Sequence, residues 1–472
     1  MENFWDSSVW STIILMSVLL SSLLIGNTLK KEIPILRNSL IPTSVLGGLV
    51  LIIVAAIYKL ITGDVMFDTA IFGGNGTSKL EIITYHALAL GFIASSLQTN
   101  KNKLSKKRTE EIFNTGVTTV ATYLLQGTVG LGITIVAALV LTDLFPAAGM
   151  LLPFGYGQGT GQALNYGNIY ETENGFIGGR SFGLTIAALG FLSASIGGVI
   201  HLNIMRKAGK LKLAKKEEFD PLRTNEIEGR NEIPMQESID KMTVQIAFIA
   251  TTYLLAYFLM YFLGNLLPGM RSTIYGFNFL LGVLCATLVK VVLGLFKKTT
   301  MLKKEYINNF LMTRASNLFF DIMVVAGIAA IRLDQLKDYW GIIAILAVAG
   351  LVITYTYTRI ISKIFFKDYV EEQFLAMYGM LTGTACTGII LLREVDSDFK
   401  TPAADNLVFQ NFPAIVFGFP LLFLATFAPK KPVLTMIILA AFFLVMNIIL
   451  FRSFIFKKWG RKRNKGSQSD TE

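Results

Sequence analysis

Arg314, Asn317 and Asp321 stand in an otherwise apolar run. Spacings of three and four residues put all three on one face of a helix, two turns from end to end. Ionised groups at membrane depth normally face a bundle interior or an aqueous cavity and mark the path of an ion or substrate. Asn317 and Asp321 are therefore candidate ligands for a coupling ion, and Arg314 a candidate partner for an anionic substrate. The alternative is structural: Arg314 snorkels to the nearer membrane surface and Asp321 is capped by a neighbouring helix.

Two polar, small-residue stretches carry the complementary chemistry. Pro153–Gln162 reads P-F-G-Y-G-Q-G-T-G-Q, and Thr382–Gly388 reads T-G-T-A-C-T-G. Unpaired backbone in lipid costs several kcal/mol per group, so such segments persist only against protein or a water-filled cavity. In Gly157, Gln158, Gly159, Thr160, Gly161 and Gln162, and in Thr382, Gly383, Thr384 and Thr387, the side chains supply donors and acceptors. The glycines let backbone approach a ligand. A helix starting after a break aims N–H groups at a carboxylate, and carbonyls freed by unwinding suit a hard ion such as sodium. Two broken segments at matching places in two halves point to a transporter's binding site. The competing reading is that the glycines only permit close helix packing.

The elements that must hold these stretches are membrane spans. Of 472 residues 53% are hydrophobic and only 16% charged, well below the soluble norm. Eleven runs are long and apolar enough to cross a bilayer: 9–29, 41–61, 81–98, 112–142, 179–202, 243–264, 274–296, 306–331, 339–363, 406–427 and 432–454. The segments near 146–176 and 370–392 are then re-entrant hairpins. The expected fold class is all-α and polytopic, with two inverted-topology repeats of five spans plus one hairpin each. Residues 1–202 form the first repeat, 203–241 a cytoplasmic linker and 242–427 the second repeat. Residues 428–472 add an eleventh span and a basic tail.

Charge supports this threading. The net charge of +11 falls in clusters between apolar runs, which favours membrane orientation over nucleic-acid binding. Lys30, Lys31 and Arg37, Lys101–Arg108, Arg206–Lys216, Lys297–Lys304, Lys367 and Lys457–Lys465 all land on one face; Lys430 and Lys431 are the exception. By the positive-inside rule the N-terminus is outside and the tail cytoplasmic. The short strings Leu88–Leu97 and Val324–Leu333, each ending the third span of its half, match in order and composition. Arg180 either meets an anion or is a solvated helix end. His86 is either a packed neutral imidazole or a proton carrier, and His201 is interfacial. Two cysteines, Cys285 and Cys386, imply no disulfide framework, and no nucleotide loop or zinc motif occurs.

On these residues the chain resembles the bacterial sodium/glutamate symporter family. The resemblance rests on Ile41–Leu49 (I-P-T-S-V-L-G-G-L), Gly157-Gln158-Gly159-Thr160-Gly161, Ser316-Asn317 and the Gly-containing second hairpin, and covers roughly residues 5–427. It implies sodium-coupled uptake of glutamate or a related small anionic amino acid, inverted five-span repeats and a homodimer in the cell (inner) membrane, with no enzyme activity and no cofactor beyond sodium. The chain departs from the family at Gln158, where a histidine is usual, and at Asp321, where a small polar residue is usual. The alternatives are a proton-coupled carboxylate transporter using Asp321 and, from another class, a passive channel.

Overall fold

A computed structural model describes residues 3–98, 105–141, 143–209, 239–298, 304–396 and 400–452. The interior of the expected linker and the basic tail beyond 452 lie outside the described residues. The fold is all-α. Its main helices are α1 (Ser7–Glu32), α2 (Thr43–Thr62), α3 (Gly76–Leu97), α4 (Lys106–Ala138), α5 (Thr160–Asn174) and α6 (Gly179–Lys207). There follow α7 (Lys241–Leu266), α8 (Asn278–Lys298), α9 (Asn309–Ala329), α10 (Trp340–Phe365), α11 (Val370–Thr382) and α12 (Ala385–Arg393). The chain closes with α13 (Ala403–Phe409), α14 (Asn411–Phe427) and α15 (Pro432–Leu450).

Ten of these helices are long and apolar enough to cross a membrane, and the pair α13–α14, bent by 50°, makes an eleventh. The expected span at 406–427 is thus two helices. Local signals set several boundaries. Asp240 caps α7 by accepting from the N–H groups of Met242 and Thr243, and Asn308 caps α9 by accepting from Leu311. Gly63, with φ +82°, ends α2 in the left-handed conformation that glycine adopts freely. The 33-residue α4 exceeds the length of a perpendicular crossing, as expected from its sequence.

The helices pack in two groups. In one, α3 lies along α9, flanked by α2 on α9 and α8 on α3, with α1 against α2 and α7 against α8. Gly91 permits the close α3–α9 approach: a Cβ there would lie 2.7 Å from the Phe320 ring, and the Ser316 hydroxyl donates to the Gly91 carbonyl at 2.9 Å. In the other group α4 packs against α10, α14 and α15, α5 against α6, and α11 against α6, α10 and α12. The groups meet where α5 touches α3 and α9.

A partly buried clamp fixes the first turn of α11. Glu371 takes Arg359 on both carboxylate oxygens, at 2.6 and 2.8 Å, and His201 Nε2 stands 2.8 Å from one of them. His201 Nδ1 lies 2.8 Å from the Tyr355 hydroxyl, and the Arg359 guanidinium sits 5.2 Å above the Phe374 ring. His201 is thus a buried network residue, 2% exposed, near the end of α6. Arg359→Met is expected to destabilise the protein by about 1–3 kcal/mol, less than a fully buried pair because both side chains keep some solvent contact. A lower unfolding midpoint in detergent, partly recovered by adding Glu371→Gln, would show it; an unchanged midpoint would remove the clamp's structural role.

Candidate functional site

Two breaks in helical backbone face one another where the helix groups meet. The first follows α4. The chain makes a 3₁₀ turn at Ala148–Met150 and a π turn at Pro153–Gly157, then breaks at Gln158–Gly159 before α5 begins. Gly159 has φ +80° and ψ −172°, a region essentially closed to residues with a Cβ. The second break, Gly383–Thr384, separates α11 from α12; Thr384 is extended, and Gly383 stands at φ −150°, ψ −103°, outside both the helical and the extended regions. At 15, 13 and 9 residues, α5, α11 and α12 are each shorter than a membrane crossing requires.

The breaks touch. A Cβ on Gly159 would lie 3.2 Å from Thr384 Cγ2, 3.6 Å from the Gly383 carbonyl oxygen and 3.9 Å from Met323 Cε on α9. Thr160 donates to the Met323 carbonyl at 3.3 Å, and Gly161 lies against Leu88 of α3 and the Met323 sulfur. Residues of both breaks therefore share one wall, formed by α9 and α3.

That wall carries the polar face expected of the eighth span. Asn317 Oδ1 is 3.9 Å from the Cys386 sulfur in the first turn of α12, and Asp321 accepts a hydrogen bond from Ser44, at the start of α2. Cys386 is close enough to Asp321 to feel its charge. Asn317, Asp321, Ser44, Cys386 and Thr384 thus come together around the second break. Thr387 lies 3.5 Å from Thr384, hydroxyl to hydroxyl, and the Thr382 hydroxyl returns to its own helix at the Tyr378 carbonyl. Arg314 is not drawn in: it is exposed, with its guanidinium 5.0 Å over the Phe310 ring on the same helix.

Burial separates the two sides. Thr160, Gly161 and Gln162 are buried, and neither amide atom of Gln162 has a protein partner. An unpaired buried amide costs roughly 1–3 kcal/mol, which a polar ligand or ordered water would offset. Gln158 is half-buried; across the contact Thr384 and Cys386 are half-buried and Ala385 is exposed. The second break is the more open.

Two further residues on α4 hold the breaks in register. The Tyr123 hydroxyl donates to the Gly157 carbonyl at 3.0 Å. Gln126, fully buried, donates to the Leu381 carbonyl at 3.0 Å and to Thr354 on α10 at 2.8 Å. Its Oε1 has no partner. Sequence reasoning passed over Gln126, although a lone amide inside an apolar run is the signal that singled out Asn317. Ser44 was legible only as part of a family-like string, and Cys386 only as a cysteine to be counted.

The remaining ionisable candidates are structural. Arg180, at the start of α6, is partly exposed but already paired: it donates to Glu81 and to Asn168, both at 2.9 Å, and lies 3.8 Å from Glu171. His86 Nδ1 is 2.6 Å from the Tyr253 hydroxyl, in an aromatic groove lined by Tyr85, Tyr253, Tyr257 and Tyr275. Among the described residues no cluster of three or more His, Cys, Asp or Glu side chains could hold a metal ion. No curated protein matches the chain. A family model for the sodium/glutamate symporter does match, over residues 7–401. With most of its length matched and ten or eleven candidate spans among the described residues around a pair of abutting breaks, the chain belongs to the sodium/glutamate symporter family, multi-pass membrane transporters and not enzymes.

Proposed function

We propose that the protein carries glutamate, or a closely related small anionic amino acid, into the cell together with sodium by alternating access at the two breaks. The observation that carries this reading is the contact of Gly159 with Thr384 beside the Asn317–Asp321 face. Sodium binds to carbonyls freed at the breaks together with Asn317 or Asp321, because a hard ion takes oxygen ligands. The substrate carboxylate binds the N–H groups at the starts of α5 and α12, with Gly157, Gln158, Gly159, Thr160, Gly161 and Gln162 on one side and Thr382, Gly383, Thr384 and Thr387 on the other. Arg314, two turns from Asp321, supplies positive charge along the approach. Both ligands favour the state in which the breaks close on each other, and that shared preference couples them.

The architecture supports an inverted repeat. Under a two-fold exchange of first and second halves, α3 pairs with α9 and α4 with α10. The α2–α9 and α3–α8 contacts exchange, as do α1–α2 with α7–α8 and α6–α10 with α4–α14. In this reading both breaks are re-entrant, the N-terminus lies outside, the basic clusters face the cytoplasm, and two copies form a homodimer in the cell membrane.

Cys386 supplies the test. With Cys285→Ser it becomes the sole thiol of the chain, and its reaction with a maleimide reports access to the second break. Sodium plus glutamate at ten times their half-saturating concentration is expected to slow labelling about tenfold. Each alone should have a smaller effect. Labelling indifferent to both ligands would defeat the proposed site.

A further inference from the structure

The connector between α1 and α2 places a residue other than glycine in the left-handed region. Leu40 is the one non-glycine residue there with positive φ, at +59°. A leucine in the left-handed region is strained by its Cβ against its own carbonyl, and such strain persists only where neighbours over-determine it. They do so here. Lys30 at the end of α1 donates to the Ile41 carbonyl at 2.6 Å, and Ser39 donates to the Leu36 carbonyl at 2.8 Å. The backbone turn is braced on both sides of Leu40.

The strained side chain is not exposed. Leu40 is 9% accessible and belongs to a small apolar cluster with Leu202 of α6, Phe374, Leu375 and Tyr378 of α11, and Leu391 of α12. The cluster is separate from the main core and joins the α1–α2 connector to both helices flanking the second break. Lys30 also lies within electrostatic reach of Glu394, the residue that ends α12. The two ends of α12 thus differ: Leu391 near its end belongs to the cluster that holds Leu40, while Ala385 at its start is exposed.

We propose that Leu40 is a latch that closes the basic-cluster side of the second break, and that its strained backbone limits how firmly the latch holds. Opening toward that side withdraws Leu40 from the cluster it shares with α6, α11 and α12, which exposes apolar surface and relieves the left-handed turn. The two effects oppose one another, so the closed form is favoured without being fixed. The inference rests on the transport reading for its purpose, but not for its geometry.

Single-cysteine protein (Cys285→Ser) in sealed vesicles, treated with an impermeant maleimide from the basic-cluster side, reads the latch directly. Leu40→Ala removes the wedge and keeps the strain, and is expected to raise the Cys386 labelling rate about tenfold or more. Leu40→Gly removes the wedge but relaxes the turn in the closed form, and should give an intermediate rate. Leu391→Ala, from the opposite side of the cluster, should resemble Leu40→Ala. Rates equal to the parent's in Leu40→Ala and Leu391→Ala would overturn the latch, and a rate in Leu40→Gly at or above that of Leu40→Ala would overturn the role of strain. Sodium-driven glutamate uptake by the parent is measured separately. Its absence would sink the transport reading while the labelling rates still decide the latch.

Discussion

Replacing Gly159 with alanine is expected to reduce sodium-driven uptake on the order of a hundredfold while leaving membrane insertion intact. The residue occupies φ +80°, ψ −172°, and its missing Cβ would stand 3.2 Å from Thr384. Backbone of this type costs a residue with a side chain about 1–3 kcal/mol, the upper end of which corresponds to about a hundredfold in an equilibrium. The added methyl also presses on Thr384, so either break must move to receive it. Gly155 is a useful control. It too is tightly packed, against Ile186 and Ala187 on α6, but lies away from the contact between the breaks. Gly155→Ala should therefore lower stability rather than alter sodium dependence. Radiolabelled uptake into proteoliposomes, at matched protein content, separates the two. Uptake by Gly159→Ala within a few-fold of the parent would mean that the breaks need not abut.

Asp321→Asn is expected to raise the sodium concentration for half-maximal uptake by roughly 10- to 100-fold, the range seen when even an outer-shell partner of a metal ligand is removed. The carboxylate is the only acidic group on the polar face shared with Asn317, and Ser44 holds it from α2. Asparagine keeps the shape and the ability to accept from Ser44 but removes the charge that balances the cation. Asn317→Ala should shift sodium dependence in the same direction by a smaller factor, since it removes a neutral ligand. Uptake at fixed pH over a sodium titration reads both. If Asp321→Asn left sodium dependence unchanged but abolished the response of uptake to pH, the carboxylate would be a proton carrier.

Much of this arrangement was legible in the sequence because the physics behind it is local. Apolar runs of bilayer length reveal the spans, and glycine-rich polar strings inside them reveal the breaks, since lipid does not tolerate unpaired backbone. The paired strings Leu88–Leu97 and Val324–Leu333 fall on α3 and α9, which pack along one another. What escaped depends on choices made in three dimensions. Gln126 escaped because its partners, Leu381 and Thr354, lie more than two hundred residues along the chain. Arg180 looked like a solvated end because its partners, Glu81 and Glu171, come from different helices. The bend between α13 and α14 was hidden because averaged hydropathy cannot distinguish one straight helix from two joined at an angle. Arg314, the charge that sequence pattern placed beside Asn317, lies over Phe310 outside the contact between the breaks.

The first break is held by aromatic residues before any ligand arrives. Phe154 stacks on Tyr166 with centroids 4.0 Å apart, and the Tyr166 and Tyr170 hydroxyls donate to the Leu422 and Ala425 carbonyls of α14. Tyr156 donates to the Ala347 carbonyl of α10 at 2.6 Å. The contacts at the start of α12 are longer: 3.5 Å between the Thr384 and Thr387 hydroxyls and 3.9 Å from the Cys386 sulfur to Asn317 Oδ1, with Ala385 exposed between them. On the proposed function, the ordering that a ligand imposes falls mainly on the start of α12. Whichever solute arrives first and orders it would lower the cost for the second, a coupling that needs no movement of the opposite wall.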